Sequence, residues 1–372
     1  MKQLLTDFQH SFDDVLIVPS FSDVASRKDV YPGTKFLWNK LSIPVISSNM
    51  DTVTGSDMVE AMSDYGALGC LHRFCSIDEN VRMFKARNKP PYAMVSVGIG
   101  AKELERTEAL RDAGANIFVL DVAHGASMVA VEQAQKIYDM IAGCGAELVV
   151  GNFATGRSIK DFRHHSGDVA KAYKVGIGGG SMCQTRVVTG CGLPTLSSIL
   201  SCAHQDVQII ADGGIRTSGD IAKALAAGAS MVMLGNMLAG TDETPGEVEV
   251  HVVRKDGYKR VLTEQEWREI RSYRCIPEYK VLGMYKKYRG SASQESYEAQ
   301  RKVSDWRTAE GVSTLVPHKG PVSGVLQQIE AGLRSAMSYV GASTLSEFKS
   351  KSELAIVTTN SAAESKPHGK ME

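Results

Sequence analysis

The segment Gly176-Ile177-Gly178-Gly179-Gly180-Ser181-Met182-Cys183-Gln184-Thr185-Arg186 is a glycine-rich loop that ends on a cysteine. Four glycines among its first five residues let the backbone turn tightly, approach a ligand and aim amides or carbonyls at it. A thiol at the end of such a loop is a candidate nucleophile, since amides or a nearby cation stabilise its thiolate. An arbitrary cysteine is more often a small buried hydrophobe. Cys70, Cys144, Cys191, Cys202 and Cys275 keep that reading, and the loop sets Cys183 apart.

Two further segments offer groups for a phosphorylated sugar. In Ala211-Asp212-Gly213-Gly214-Ile215 a carboxylate precedes two glycines, and such an Asp can accept paired hydrogen bonds from a ribose diol. Gly235-Asn236-Met237-Leu238-Ala239-Gly240 offers amides at the start of an expected short helix, where phosphate binds well. Each glycine pair alone reads as a tight turn. Together they favour a phosphate with a ribose attached.

The elements that must position these groups follow from the hydrophobic pattern. Short β-branched apolar runs alternate with Gly or polar turns and Ala-rich amphipathic stretches, the punctuation of βα units. Strands are expected at 43–47, 68–72, 93–97, 117–121, 147–151, 172–176, 207–211 and 231–234. Helices are expected at 102–113, 127–142 and 218–227, the last closed by Gly228. Eight strands with helical crossovers predict an α/β fold of the (β/α)8 barrel type, whose active groups gather where strand C-termini meet their loops. The cysteine loop then follows strand six. The Asp and glycine segments follow strands seven and eight, the usual phosphate corner of such a barrel.

Helix eight is expected only at 322–337, after a long charged stretch that holds Trp267 and Trp306. A structureless connection of that length is rare in a compact domain, so a flap over the site is expected at about 246–320. One catalytic domain should span 1–345. Residues 346–372 lose apolar periodicity and read as a disordered tail.

Composition excludes several classes. Lys plus Arg and Asp plus Glu both total 42 in 372 residues, so no basic excess is left for nucleic acid or an anionic membrane. The cysteines number seven, without CxxC pairs or regular histidine spacing, which fits reduced thiols in a cytoplasmic protein. No apolar run approaches the roughly 20 residues of a membrane span, and the charged N-terminus does not read as a signal.

The segments SFDDVLIVP (11–19), SNMDTVTG (48–55), LDVAHG (120–125), KVGIGGGSMCQTR (174–186), ADGGI (211–215), MLGNMLAGTDETPGE (233–247), KKYRGSAS (286–293) and AEGVSTLVPHKGP (309–321) resemble the IMP dehydrogenase and GMP reductase superfamily, in family order, over about 10–345. The resemblance implies that Cys183 attacks C2 of a purine, with Thr185 and Glu310 handling the proton of the departing or arriving group. It implies that Asp212 holds the ribose, and that Ser181, Gly214, Gly235, Asn236 and Tyr288 hold the 5′-phosphate. Met50, Gly213, Gly290, Ser291, Ala292, Ser293 and Gly311 complete the implied nucleotide site. Ser26, Arg27, Arg73, Asp121, Val122, Ala123 and Arg307 are implied on the nicotinamide cofactor. Carbonyls of Gly178, Gly180 and Cys183 are implied around a potassium ion, and the implied assembly is a homotetramer.

The direction of the chemistry rests on two absences. The chain passes from Ile77–Pro91 straight to strand three, with no room for the regulatory domain that IMP dehydrogenases usually insert there. Between Ser293 and Glu310 there is no Arg-Tyr dipeptide, which resembling dehydrogenases use to activate hydrolytic water. Both favour a GMP reductase that converts GMP to IMP and ammonia with NADPH. SNMDTVTG, GTDETPGE and EGVSTLVPHKGP read more like a dehydrogenase oxidising IMP to XMP with NAD. Gly179 replaces a usual proline, Arg73 a usual lysine, and 252–285 is longer than a reductase requires. A non-catalytic nucleotide-binding homologue is a third reading, and a flavin barrel would have no use for Cys183.

Overall fold

The computed structural model describes residues 9–86, 93–272, 279–300, 308–358 and 361–365. Among them, parallel strands close a barrel in sequence order: β1 (Val45–Ser47), β2 (Leu68–Leu71), β3 (Ala93–Val97), β4 (Ile117–Asp121), β5 (Glu147–Phe153), β6 (Ala172–Val175), β7 (Gln208–Asp212) and β8 (Met231–Leu234). Strand β8 returns to β1 through the register Met233 with Ile46. All eight expected strands form, with small shifts at their ends.

The strands are mostly apolar on both faces because both are covered. One set of alternate residues fills the interior: Ile46, Leu68, Cys70, Met94, Ile117, Val119, Val149, Ile210 and Met231. The other set, including Phe118, Leu120, Val150, Tyr173 and Val232, packs outward on the helices. A hairpin of Thr34–Phe36 and Asn39–Leu41 adds Phe36 and Leu41 to the interior. The Leu37 amide donates to Gln208 Oε1 at 3.1 Å, which puts this plug at the strands' N-terminal end. The open mouth is therefore the C-terminal one.

The outer helices are α1 (Ser56–Tyr65), α2 (Ile77–Lys85), α3 (Ala101–Asp112), α4 (Met128–Ile141), α5 (Gly156–Ser166), α6 (Thr195–Ala203), α7 (Ser218–Ala226) and α8 (Val322–Tyr339). Ser76, Ser127, Thr155 and Thr217 cap α2, α4, α5 and α7 by accepting a first-turn amide. Ala227 is the cap of α7, and Gly228 follows it at φ +112°, a left-handed position suited to glycine.

Between β8 and α8 the chain builds an antiparallel sheet of β9 (Glu249–Arg254), β10 (Lys259–Thr263), β11 (Tyr279–Arg289) and β12 (Ser313–Pro317), in the order β10-β9-β11-β12. The helix Glu264–Ser272 lays Trp267 and Ile270 on Val248, Val250, Val252 and Leu262, giving this excursion a small core of its own. That core accounts for much of the unusual length of 252–285. The flap is anchored where it leaves the barrel. Lys286 Nζ donates to the carbonyls of Thr241, Asp242 and Thr244 at 3.2, 3.1 and 2.6 Å.

The expectation of a disordered tail from 346 is corrected. Leu345–Lys351 is a helix capped by Thr344 with Phe348 buried, and Leu354–Ile356 pairs antiparallel with Val15–Ile17. A three-residue strand has too few alternations to register in sequence, and its partner lies at the other end of the chain. Among the described residues no helix is long and apolar enough to cross a membrane.

Candidate active site at the barrel mouth

After β6 the chain turns at Gly176 and Gly178, at φ +138° and +79°, and reaches Cys183. A Cβ on Gly176 would sit 1.9 Å from the Asp212 carbonyl, so only glycine permits this crossing. The Cys183 amide donates to the Gly180 carbonyl at 3.0 Å, and a short helical turn Thr185–Thr189 follows. The flap segment 310–312 runs against this loop. The Gln184 amide donates to the Glu310 carbonyl at 2.6 Å, and the Val312 amide to the Met182 carbonyl at 3.0 Å.

This pairing brings three side chains into line. The Cys183 thiol lies 3.1 Å from Thr185 Oγ1, and that hydroxyl donates to Glu310 Oε2 at 2.7 Å. A proton can pass from sulfur to carboxylate through one hydroxyl, and the carboxyl can return it to a group bound beside Cys183.

The flap supplies the wall. The Gly290 amide donates to the Val312 carbonyl, the Glu310 amide to the Ala292 carbonyl, and the Ser293 amide to the Gly290 carbonyl, at 2.9, 3.0 and 3.0 Å. A Cβ at Gly290 would stand 3.1 Å from the Met182 carbonyl, and one at Gly311 3.1 Å from the Ser293 amide. Gly290 and Gly311 thus lie against the cysteine loop, with Ala292 and Ser293 packed on Gly311. Arg289 pairs with Asp51 and fixes this segment to the β1 loop.

Tyr288, Ser181, Met50 and Gly235 converge. Tyr288 Oη is 3.2 Å from Ser181 Oγ and 3.9 Å from Met50 Sδ, and a Cβ on Gly235 would lie 2.8 Å from it. Burial raises the Tyr288 phenol above its ordinary value, so it stays a hydrogen-bond donor near neutrality. Gly213 and Gly214 take left-handed φ of +92° and +79°, and a Cβ on Gly213 would meet the Gly180 amide at 2.9 Å. Nearby, Ser48 Oγ and Thr195 Oγ1 are buried without a protein hydrogen-bond partner, the former 3.2 Å from the Cβ position of Gly235 and the latter 3.3 Å from that of Gly214. Both were missed in sequence, where a hydroxyl inside an apolar run carries no mark.

The expected short helix after β8 does not form. The Leu238 and Ala239 amides both return to the Gly235 carbonyl at 3.0 and 2.8 Å, and Gly240 at φ +87° ends the turn and sends the chain into the flap. Lys319 Nζ holds the carbonyls of Asn236 and Met237 at 2.8 and 3.0 Å.

Asp212 at the end of β7 gives one oxygen to two donors, Lys174 Nζ at 3.0 Å and Asn152 Nδ2 at 2.9 Å. Lys174 Nζ also reaches Asp121 Oδ1, at the end of β4, at 2.8 Å. Burial alone would raise the Asp121 carboxyl, but Lys174 and then Arg73 hold it below the ordinary carboxylate range. Burial would likewise lower Lys174, and the two carboxylates overcome it and raise it. The Val122 amide donates to the Gly151 carbonyl at 2.8 Å, which sets the path of the Val122-Ala123 turn beside Asp121. Lys174 and Asn152 had no role assigned from sequence. The available signal was a lysine inside an otherwise apolar strand, facing Gly151 in the register.

Arg73 Nη2 lies 3.4 Å from the Asp121 carbonyl, and its Nε is buried with no protein partner. This rim sets an acceptor, Asp121, beside a donor, Arg73. Ser26 and Arg27 are not brought to this mouth. They form a turn tied to α8, where Arg334 donates to the Arg27 carbonyl at 3.3 Å, about three turns from the helix start beside the flap. Arg307 lies outside the described residues, as does Cys275. Among the described residues no group of three or more His, Cys, Asp or Glu could hold a metal ion. The carbonyls of Gly178, Gly180 and Cys183 are a different donor set. That of Gly180 keeps one lone pair beyond its bond from the Cys183 amide.

The model of the IMP dehydrogenase / GMP reductase domain matches residues 9–262 and 278–368. The inosine-5′-monophosphate dehydrogenase of Nitrosopumilus maritimus is 31% identical, with 96% of this chain and 98% of that protein covered. The GMP reductase of Phytophthora infestans is 33% identical, with 94% and 91% covered. Among solved structures, a cysteine-to-alanine variant of GMP reductase from Trypanosoma brucei, in complex with guanosine 5′-monophosphate, superposes with a TM-score of 0.82 at 27% identity, covering 98% of each chain. Inosine 5′-monophosphate dehydrogenase from Legionella pneumophila gives 0.77 at 42% identity, covering 95% of this chain and 99% of that one.

Proposed function

The chain belongs to the IMP dehydrogenase / GMP reductase family, a family of purine-nucleotide oxidoreductases that use a nicotinamide cofactor, and on that premise we propose that it is a GMP reductase. The observation that carries the proposal is the line Cys183, Thr185, Glu310, with 3.1 and 2.7 Å between its members. Deamination needs a nucleophile at C2 and a proton for the leaving amine, and this line supplies both. The absence of an Arg-Tyr dipeptide between Ser293 and Glu310 leaves no counterpart of the hydrolytic base with which the resembling dehydrogenases turn their adduct into XMP.

Cys183 loses its proton through Thr185 to Glu310, and the thiolate forms a bond to C2 of GMP. Glu310 returns the proton through Thr185 to the exocyclic nitrogen, the C2–N bond breaks, and ammonia departs from a purine thioimidate on Cys183. Bound NADPH supplies the hydride that resolves this adduct at C2. The C2–S bond then breaks, Cys183 leaves as thiolate, and IMP is released. Tyr288, Ser181, Gly214, Gly235 and Asn236 hold the phosphate, Met50 and 290–293 with Gly311 enclose the base, and Asp212 takes the ribose hydroxyls. Arg73, Asp121, Val122 and Ala123 orient the nicotinamide. The carbonyls of Gly178, Gly180 and Cys183 take a potassium ion that steadies the loop. Omitting monovalent cations should then lower turnover.

A second reading, an IMP dehydrogenase using NAD, is favoured by the 42% identity to the Legionella protein and by the names of most similar curated proteins. Two assays at the nicotinamide absorbance band separate the readings. GMP with NADPH should consume cofactor and release ammonia. Turnover only with IMP and NAD overturns the proposal in favour of the second reading, and nucleotide binding with no turnover in either assay points to a non-catalytic homologue. Light scattering tests the homotetramer that the family resemblance implies.

A further inference from the structure

We infer that Lys174 is a positioning residue that ties the nucleotide half of the site to the cofactor half, an inference that rests on the function proposed above. Its side chain is 3% exposed, and the ammonium sits between two carboxylates from the ends of β4 and β7, Asp121 at 2.8 Å and Asp212 at 3.0 Å. Each carboxylate is more open, at 19% and 23%, and each ends a barrel strand at the mouth. One cation is thus shared between two acceptors that meet different ligands.

The barrel makes room for this arrangement. Lys174 faces Gly151 across the sheet, and a Cβ on Gly151 would lie 2.3 Å from the Lys174 Cβ. Glycine there lets the lysine stem run up the interior toward the mouth. Asn152 fixes the Asp212 side by donating to both Asp212 Oδ2 and the Gly176 carbonyl, at 2.9 and 2.8 Å. The charged and titratable groups around the ammonium are Asp121 from β4, Asp212 from β7, Cys70 from β2 and, beyond Asp121, Arg73.

A ligand hydroxyl that donates to Asp212 draws charge from the oxygen that Lys174 holds. The ammonium then shifts its bonding toward Asp121, and a ligand on Asp121 acts in reverse. In a buried pair such redistribution is not screened by water. Purely structural filling by Lys174 would predict no such cross-talk.

The test measures equilibrium affinity for GMP and for NADPH separately, by calorimetry, in the wild type, Lys174→Met, Lys174→Arg and Asp121→Asn. Lys174→Met should weaken both ligands by about tenfold or more as the carboxylates lose their cation. Lys174→Arg should recover part of both affinities. Asp121→Asn, which keeps shape and does not touch GMP, should still change GMP affinity by about threefold or more. That last measurement stands even if Lys174→Met does not fold. A wild type that binds GMP, with Asp121→Asn leaving GMP affinity unchanged, overturns the role of Lys174 alone. A wild type that binds neither GMP nor IMP overturns the proposed function and this inference together.

Discussion

Thr185 Oγ1 donates to Glu310 Oε2 at 2.7 Å although 125 residues separate them. The contact is set by the backbone: the Gln184 amide bonds to the Glu310 carbonyl, and Cys183 and Gly311 form a bridge between the loop and the flap. The pair is therefore available only when the flap lies against the cysteine loop. Thr185→Val and Glu310→Gln should each lower kcat by about 10² to 10⁴ while leaving GMP affinity within a few-fold. Because the two act as one relay, the double variant should be no slower than the worse single one. Single-turnover release of ammonia reads this, and losses that multiply would separate the two residues.

Thiol chemistry should divide the cysteines. Burial pushes Cys75 up to about 11 and Cys202 up to about 12, and it raises the fully buried Cys70 as well. At pH 8 these three remain protonated and inert. Mass mapping after brief iodoacetamide treatment should find them unmodified and the exposed Cys144 and Cys191 labelled. Saturating GMP should slow labelling of Cys183 selectively. Labelling of Cys75 as fast as Cys191 would contradict the packing.

Lys286→Met should loosen the flap from the barrel. Burial lowers the Lys286 ammonium, yet three carbonyls around Nζ keep it bound; removing it takes that donor from the Asp242 and Thr244 carbonyls, while the Thr241 carbonyl keeps the Thr244 amide and hydroxyl. A loss of about 2 to 4 kcal/mol is expected, with faster proteolysis inside 249–317 than in the barrel. Limited digestion and a thermal melt measure both. Equal protection of the flap in variant and wild type would show that another contact anchors it.

Lys349 gives a pH-dependent prediction. Burial pushes its ammonium from 10.5 down to about 8. Between these values the unfolded chain holds a proton that the folded one has released, so this group makes stability rise with pH across the window. Below pH 8 the full cost of the buried charge is present. Lys349→Met should melt higher than wild type at pH 7, with the advantage shrinking toward pH 10.5. An advantage independent of pH would point to packing alone.

The eight strands, the barrel and the cysteine, aspartate and glycine segments at its mouth were legible in the residues alone, while the other side chains assigned to the site rested on the family resemblance. Period and strand length are local properties, and the rule that barrel chemistry sits at strand C-termini converts them into position. Cys183, Asp212 and the glycines of 176–180, 213–214 and 235 could be found because glycine demands and polar strand ends stand out against apolar runs, whereas Thr185 was marked only by the family resemblance. Thr185 and Glu310 were paired by the family resemblance, and their contact is made by a sheet that folds back over the barrel. Three things came only with the folded chain. Lys174 lies between Asp121 and Asp212, a contact across the barrel interior with no sequence period. Ser26 and Arg27 sit on α8, away from the mouth. Residues 345–358 are ordered because the strand Leu354–Ile356 exists only through its pairing with Val15–Ile17. Contacts between distant segments are paid for by burial and hydrogen bonds formed after the chain has closed, so no local window of sequence contains them.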